Sequence, residues 1–109
     1  MNKGLNRLGQ EIYESCEKKG WNENLVLGNM LVNVHGEVSE AWEEIRNGHA
    51  VTEVYEVHGK PEGFPIEMAD TIIRILHICA NYKIDIEGAI EAKMRYNETR
   101  PYRHGGKVA

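Results

Sequence analysis

The sequence contains two pairs of acidic residues whose spacing suits the binding of a cation. Glu37 and Glu40 form the first pair, and Glu67 and Asp70 form the second, with the members of each pair three positions apart. Side chains at this spacing share one face of an α-helix, so each pair presents two carboxylates together. Hard divalent cations, chiefly Mg²⁺ and Mn²⁺, bind through oxygen ligands of this kind. The four acids are therefore candidate ligands of Mg²⁺, with Mn²⁺ as a substitute.

The second pair is the more informative one because of its surroundings. A narrow polar stripe on an otherwise apolar segment consists of Glu67, Asp70, Arg74 and His77. An isolated carboxylate in a low-dielectric interior is costly, so acids in such a segment are neutralised by a cation or stay open to water. For the first pair a solvated helix face is an equal alternative, since glutamate is a good helix former. The two pairs together favour a metal site.

Other metal centres fit the sequence less well. A di-iron carboxylate bundle would use Glu-x-x-His motifs, and none occurs. Zinc hydrolases need histidines at short spacing, whereas the five histidines here are scattered along the chain. They are His35, His49, His58, His77 and His104. Oxygen-only coordination is the remaining prediction.

A basic run follows the acids near the C-terminal end. If a fourth helix persists that far, Lys93, Asn97 and Arg100 share one of its faces, and Arg103 follows three positions later. Cations and amide donors beside a cluster of acids suit a ligand that is both metal-bound and strongly anionic, namely a polyphosphate. The alternative is that these cations interact with the negative end of the helix dipole.

Apolar periodicity predicts the first two helices. The first is indicated by Leu5, Leu8, Ile12 and Cys16, and it ends at Gly20. The second runs to about Asn47, with an apolar stripe made of Leu27, Leu31, Val34, Val38, Ala41, Trp42 and Ile45. The first acidic pair lies at the border of this stripe, where it can face a neighbouring helix. We expect Trp42 to pack in the core.

Two further helices are predicted beyond a loop at about 48–64. The loop contains a short β-like alternation, which is consistent with a hairpin. Pro65 suits the first turn of the third helix, which is apolar over most of its circumference and is therefore expected to be central and covered on nearly all sides. Asp85 is the expected N-cap of the fourth helix, and Pro101 marks its end. The fold class predicted is all-α, with four helices.

Length and composition limit the class of protein. The 109 residues form a single domain, 1–109, with a basic tail at about 100–109. A domain this short buries a modest share of its surface, so we expect a homodimer or homotetramer. The net charge of −4 speaks against polymeric nucleic acid or an anionic membrane as partner. The sequence shows no signal peptide and no apolar run long enough to span a membrane. The two cysteines lack the spacing of a disulfide framework or a zinc site. The expected location is therefore cytoplasmic.

The arrangement of acids and basic residues resembles the MazG-like superfamily of all-α nucleoside triphosphate pyrophosphohydrolases. The signature of that family is Glu-x-x-Glu on one helix and Glu-x-x-Asp on the next, here Glu37-Val-Ser-Glu40 and Glu67-Met-Ala-Asp70. The likeness extends through Lys60-Pro61-Glu62-Gly63 and on to the stretch from Lys93 to Lys107, so that it covers roughly residues 25 to 107. It implies a four-helix unit that completes its bundle by oligomerisation.

The resemblance also implies an activity, which is Mg²⁺-dependent hydrolysis of (d)NTPs, non-canonical ones included. Cleavage at the α–β phosphate bond would give nucleoside monophosphate and pyrophosphate, with cleansing of the nucleotide pool as one use. The implied metal ligands are Glu37, Glu40, Glu67 and Asp70, and the implied substrate-binding residues are Lys93, Asn97, Arg100 and Arg103. Glu37 or Glu40 is the catalytic candidate that accepts a proton from the attacking water.

Several alternatives stay open at the level of sequence. The first alternative is a related enzyme that acts on phosphoribosyl-ATP and has the same metal site. The second is a non-catalytic helical module that binds a nucleotide or a partner protein. The third is a structural bundle that binds metal without turnover. The base has no sequence code, and the aromatic residues able to stack on it are Trp21, His35, Trp42, Tyr55 and Tyr102. The role of Glu44, a further acid on the face of the first pair, is also open.

Overall fold

The computed structural model describes residues 4–102, which form four helices and one small hairpin. The elements are α1 (Leu5–Lys18), α2 (Leu27–Arg46), β1 (Tyr55–Val57), β2 (Lys60–Glu62), α3 (Phe64–Asn81) and α4 (Ile86–Glu98). The strands pair antiparallel, with Glu56 opposite Pro61. The all-α class is therefore confirmed, and the loop between α2 and α3 carries a hairpin, with which its β-like alternation was consistent. None of the helices in this part of the chain is long and apolar enough to cross a membrane.

Two glycines set how closely the elements approach one another. Gly63 precedes α3 with φ of 126°, a conformation that favours glycine, and a Cβ at this position would collide with the backbone oxygen of Glu53. Gly9 is buried in α1, where a Cβ would lie 3.0 Å from the backbone oxygen of Leu76. The first glycine lets the hairpin turn directly into α3, and the second lets α1 lie against α3.

The core is small and is centred on α3, which packs against both α1 and α2. The buried apolar residues of the described chain are Met30, Ala41, Leu76, Ile78 and Cys79. The prediction that α3 is covered on nearly all sides is wrong for one chain, because Ile72 is 52% exposed and Ile73 and Ile75 are also exposed. A single copy thus leaves part of its most apolar helix in contact with water.

The orientation of α2 differs from the one predicted. Its buried residues are Met30, Glu37 and Ala41, so the face that carries an acid of the first pair lies against α3. Most of the apolar stripe points outward, and the prediction that Trp42 packs in the core is wrong, since this side chain is 60% exposed. We call the exposed residues Leu27, Leu31, Val38 and Trp42 the α2 apolar face. In this orientation Glu37 pairs with Arg74 of α3.

The N-terminal ends of α1 and α4 are joined through one amide side chain. Asp85 caps α4 as predicted, accepting a hydrogen bond from the Gly88 backbone N–H at 3.0 Å. Asn6 donates from Nδ2 to Asp85 Oδ1 at 2.8 Å, and its own Oδ1 accepts from the backbone N–H groups of Ile86 and Glu87. Glu87 in turn accepts from the Asn6 backbone N–H at 2.7 Å. Asn6 therefore satisfies N–H groups that the first turn of α4 would otherwise leave unpaired.

Replacing Asn6 by alanine is expected to destabilise the fold by about 1–2 kcal/mol, because it removes three side-chain hydrogen bonds at once, two of them from N–H groups in the first turn of α4. Urea unfolding measures the difference, and hydrogen exchange should show the largest loss of protection in α4. Gln10→Ala is the matched control, since the Gln10 side chain bonds to Glu14 within α1. Equal stabilities of the two variants would contradict this role for Asn6.

Candidate metal centre

The packing of α2 against α3 brings carboxylates from both helices to one point. One carboxylate oxygen each from Glu37, Glu67 and Asp70 lies within 4.8 Å of the other two. Carboxylate oxygens are the ligands that hard divalent cations prefer, so the three acids form a candidate cation site. The structure thus joins three of the four acids that the sequence proposed as metal ligands, and we call these three residues the acidic cluster.

Glu67 is the residue in this cluster that most needs a positive partner. Its side chain is 7% exposed, and its Oε2 atom is buried without a hydrogen bond. Burial, followed by the neighbouring carboxylates of Glu37 and Glu40, raises the pKa of Glu67 to about 8. Ionising this carboxyl at neutral pH therefore costs free energy. A divalent cation bound here would remove that cost.

Glu40 lies at the solvent edge of the acidic cluster. It is exposed, yet it is close enough to contribute to the raised pKa of Glu67. Its oxygens are outside the set within 4.8 Å formed by the three clustered acids. The four predicted ligands therefore divide into three that converge and one that flanks them.

Asp70 connects the acidic cluster to the hairpin. Burial is the largest influence that raises its pKa, and the charge of Glu37 adds to it. The positive charges of Arg74 and Lys60 act in the opposite direction, and Glu62 raises the pKa slightly further. Lys60 and Glu62 belong to β2, where they form an ion pair of 3.5 Å. The hairpin thus places a cation, Lys60, near Asp70.

The acid at position 44 has a structural partner. The hydroxyl of Tyr55 donates to Glu44 Oε1 at 2.8 Å, and this bond raises the pKa of Tyr55 to about 12. The ring of His49 stacks on Tyr55 with 4.4 Å between centroids. Glu44 therefore anchors the hairpin to α2, which is a role that sequence spacing did not indicate.

A cavity of about 420 Å³ adjoins the acidic cluster between α1, α2 and α3. Its polar lining residues are Asn33, Asp70, Arg74 and His77, and its apolar ones are Ile12, Cys16, Trp21, Leu25, Met30 and Ile73. Volumes of this order hold small-molecule ligands, and mostly apolar walls with a few polar groups are typical of such sites. Since Asp70 belongs to both, the cavity opens directly beside the carboxylates.

The polar edge of the cavity is held by a chain of hydrogen bonds from α1. Asn22 donates from Nδ2 to the backbone oxygen of Tyr13 and to Glu17, so its Oδ1 is the atom that faces His77. The distance from Oδ1 to His77 Nε2 is 2.6 Å. Burial, and then the charge of Arg74, lowers the pKa of His77, which favours the neutral ring. His77 therefore donates from Nε2 and keeps Nδ1 as an acceptor.

The proposed phosphate-binding residues Lys93 and Asn97 of α4, and Arg100 just beyond the end of that helix, lie apart from the acidic cluster in one copy of the chain. Lys93 Nζ lies 5.0 Å from the centroid of the Tyr96 ring and the Arg100 guanidinium 5.6 Å from it, while α4 packs on α1. Within residues 4–102 no hydrogen bond or ion pair joins Lys93, Asn97 or Arg100 to the four acids. Arg103 falls outside the described residues. The cation in direct contact with the cluster is instead Arg74, which the sequence analysis placed on the polar stripe without a role.

The aromatic residues named for base stacking are spread over the molecule. Trp21 lines the cavity, and Tyr55 is engaged with Glu44. His35, Trp42 and Tyr102 are exposed away from the cavity lining. Trp21 is thus the aromatic side chain that the structure places beside the candidate site.

Comparisons with models of protein families, with curated proteins and with solved structures found no match to this chain.

Proposed function

We propose that this chain is a Mg²⁺-dependent nucleoside triphosphate pyrophosphohydrolase of the MazG-like class. In this proposal it cleaves (d)NTPs, non-canonical ones included, between the α and β phosphates and acts in the cytoplasm. The observation that carries the proposal is the buried, unpartnered Glu67 oxygen in a cluster of carboxylates that opens into a ligand-sized cavity. A metal site and a site for an organic ligand are thus adjacent.

The donor set fits Mg²⁺ because it is made of oxygen atoms from acids that are partly shielded from water. Glu37, Glu67 and Asp70 would hold the ion, with Glu40 joining from the solvent side. Bound Mg²⁺ supplies charge neutralisation at the phosphates and a lowered pKa for water. Mn²⁺ would substitute, since it accepts the same oxygen ligands.

Glu40 is the better candidate for the proton acceptor. It is exposed beside the acidic cluster, so a carboxylate oxygen remains available to an incoming water. Glu37, the other candidate, is 9% exposed and its Oε1 accepts a hydrogen bond from Arg74, so it is less open to an incoming water. A general base needs to reach the proton that it removes, and the exposed position of Glu40 favours it for this role.

The cavity would hold the nucleoside part of the substrate, with the phosphates directed toward the acidic cluster. Trp21 offers a surface for the base, while Asn33 and His77 offer polar atoms at its edge. Because Asp70 and Arg74 line the cavity on the side of the cluster, a nucleotide bound there would bring its triphosphate to the acids. Lys93, Asn97, Arg100 and Arg103 remain proposed phosphate contacts.

A homodimer or homotetramer is part of the proposal. The α2 apolar face and the exposed isoleucines of α3 are apolar surfaces that a contact between copies could remove from water. The buried apolar core is confined to five residues of the described chain, which is little for a stable domain. A second copy that covers these surfaces would supply the missing burial.

The test of the proposed function is product identification with a panel of canonical and modified NTPs and dNTPs in the presence of Mg²⁺. The expected products are nucleoside monophosphate and pyrophosphate, with no nucleoside diphosphate. Including phosphoribosyl-ATP in the panel separates the two enzymatic alternatives. Release of nucleoside diphosphate and inorganic phosphate would refute the proposal. The absence of cleavage with either Mg²⁺ or Mn²⁺ would also refute it.

A further inference from the structure

Arg74 lies between the acidic cluster and the cavity. Its Nε donates to Glu37 Oε1 at 2.9 Å. A guanidinium carries five N–H donors in a fixed fork, and this bond uses one of them. The side chain is 44% exposed and also lines the cavity. Most of its donors therefore remain available to a ligand on the cavity side.

A metal bound at the acidic cluster would compete with Arg74 for Glu37. The same carboxylate, which is nearly buried, would then serve two positive partners, and those partners repel each other. A polyphosphate arrives with the metal and brings several negative oxygens to the same place. Guanidinium groups bind phosphate oxygens with two parallel hydrogen bonds. The phosphate thus offers Arg74 a new partner at the moment when its hold on Glu37 weakens.

Other cations of the described chain are less well placed for this exchange. Lys60 pairs with Glu62 in the hairpin, while Lys93 and Arg100 lie over the ring of Tyr96. Arg74 alone among the side chains of residues 4–102 has an ion pair with a member of the acidic cluster and a place in the cavity wall.

We propose that Arg74 is a substrate-binding residue that holds Glu37 in the metal-free protein and binds a phosphate oxygen once Glu37 has turned to the metal. This inference rests on the proposed function. It predicts two effects of opposite sign when the guanidinium is removed. The free protein should bind a divalent cation more tightly, because a competitor for Glu37 is gone, whereas the substrate should bind more weakly.

The experiment compares Arg74→Gln and Arg74→Lys with the intact protein. Mn²⁺ affinity without nucleotide is measured by electron paramagnetic resonance, and KM and kcat are measured with the best substrate of the panel and Mg²⁺. For Arg74→Gln we expect severalfold tighter Mn²⁺ binding and a KM raised roughly 10- to 100-fold, the usual effect of losing a charged hydrogen bond. Arg74→Lys keeps the charge without the fork and should raise KM less.

Arg46→Gln is the matched control, because Arg46 is an exposed arginine of α2 that pairs with Glu43. It should leave Mn²⁺ affinity and KM unchanged. Weaker Mn²⁺ binding in both Arg74 variants, or an unchanged KM in a folded Arg74→Gln protein, would overturn the inference while leaving the proposed function standing. Absence of cleavage by the intact protein would instead overturn the proposed function, and this inference with it.

Discussion

Replacing Glu67 by glutamine is expected to abolish Mg²⁺-dependent cleavage and, at the same time, to stabilise the metal-free protein at pH 8. The substitution keeps the shape of the side chain but removes a ligand charge, so activity should fall by roughly a hundredfold or more. It also removes a buried negative charge that lies beside Glu37 and Glu40. A metal ligand that is costly without its metal has this double signature.

The direction of the pH effect follows from the pKa of Glu67. That pKa is about 8 in the fold against an ordinary value of 4.5, so between these values the folded protein binds more protons than the unfolded one. The free energy of unfolding of the metal-free protein should therefore fall as pH rises from about 4.5 to about 8. The Glu67→Gln protein should lose this part of the decline.

Thermal unfolding in EDTA and in Mg²⁺ at several pH values measures both effects. We expect Mg²⁺ to raise the Tm of the intact protein increasingly above pH 7, because binding requires the ionised acid, and to leave the Tm of Glu67→Gln unchanged. Glu43→Gln is the control, since Glu43 is an exposed acid of α2 paired with Arg46. A Glu67→Gln protein that is less stable in EDTA at pH 8 would contradict this account of the acidic cluster.

A charge placed on the α2 apolar face is expected to dissociate the proposed oligomer. Trp42 is 60% exposed in one copy, and Trp42→Glu would put a carboxylate into the apolar contact that we propose between copies. Burial of an unpaired charge is unfavourable, so the variant should be monomeric at concentrations where the intact protein is a dimer or tetramer. Its Tm should be several degrees lower and should no longer rise with protein concentration.

Sedimentation over a range of concentrations distinguishes these states. Val32→Glu is the matched control, because Val32 is 65% exposed and lies about 100° around the helix from Leu31. It should leave the association intact. If the intact protein sediments as a monomer at every concentration, or if both variants associate alike, the α2 apolar face is not the interface.

The ends of the elements could be predicted from the sequence because they depend on local chemistry. Glycine at position 48 follows α2, proline at 65 lies in the first turn of α3, and Asp85 caps α4, all as expected from backbone preferences. The sequence also predicted that Glu67 and Asp70 share one helix face that needs a polar or charged partner, since two acids in an apolar helix are costly when isolated. These inferences need only a few neighbouring residues.

The orientation of α2 could not be predicted in the same way. An apolar stripe shows that a helix face leaves water, but it does not show whether the partner belongs to the same chain or to another. Glu37 is buried and bonds to Arg74, which lies 37 positions away along the chain. The contacts of Asn6 with Asp85 and of Tyr55 with Glu44 are likewise between distant side chains and leave no trace in the periodicity.

The most direct test of the central claim is Mg²⁺-dependent pyrophosphate release by the intact protein, Asp70→Asn, Glu40→Gln and the Glu43→Gln control, each shown to be folded. We predict stoichiometric nucleoside monophosphate and pyrophosphate from the intact protein and the control, with release lost in both site variants. No release by the intact protein, or equal release by Asp70→Asn, would contradict the claim that the acidic cluster is the metal centre of a pyrophosphohydrolase.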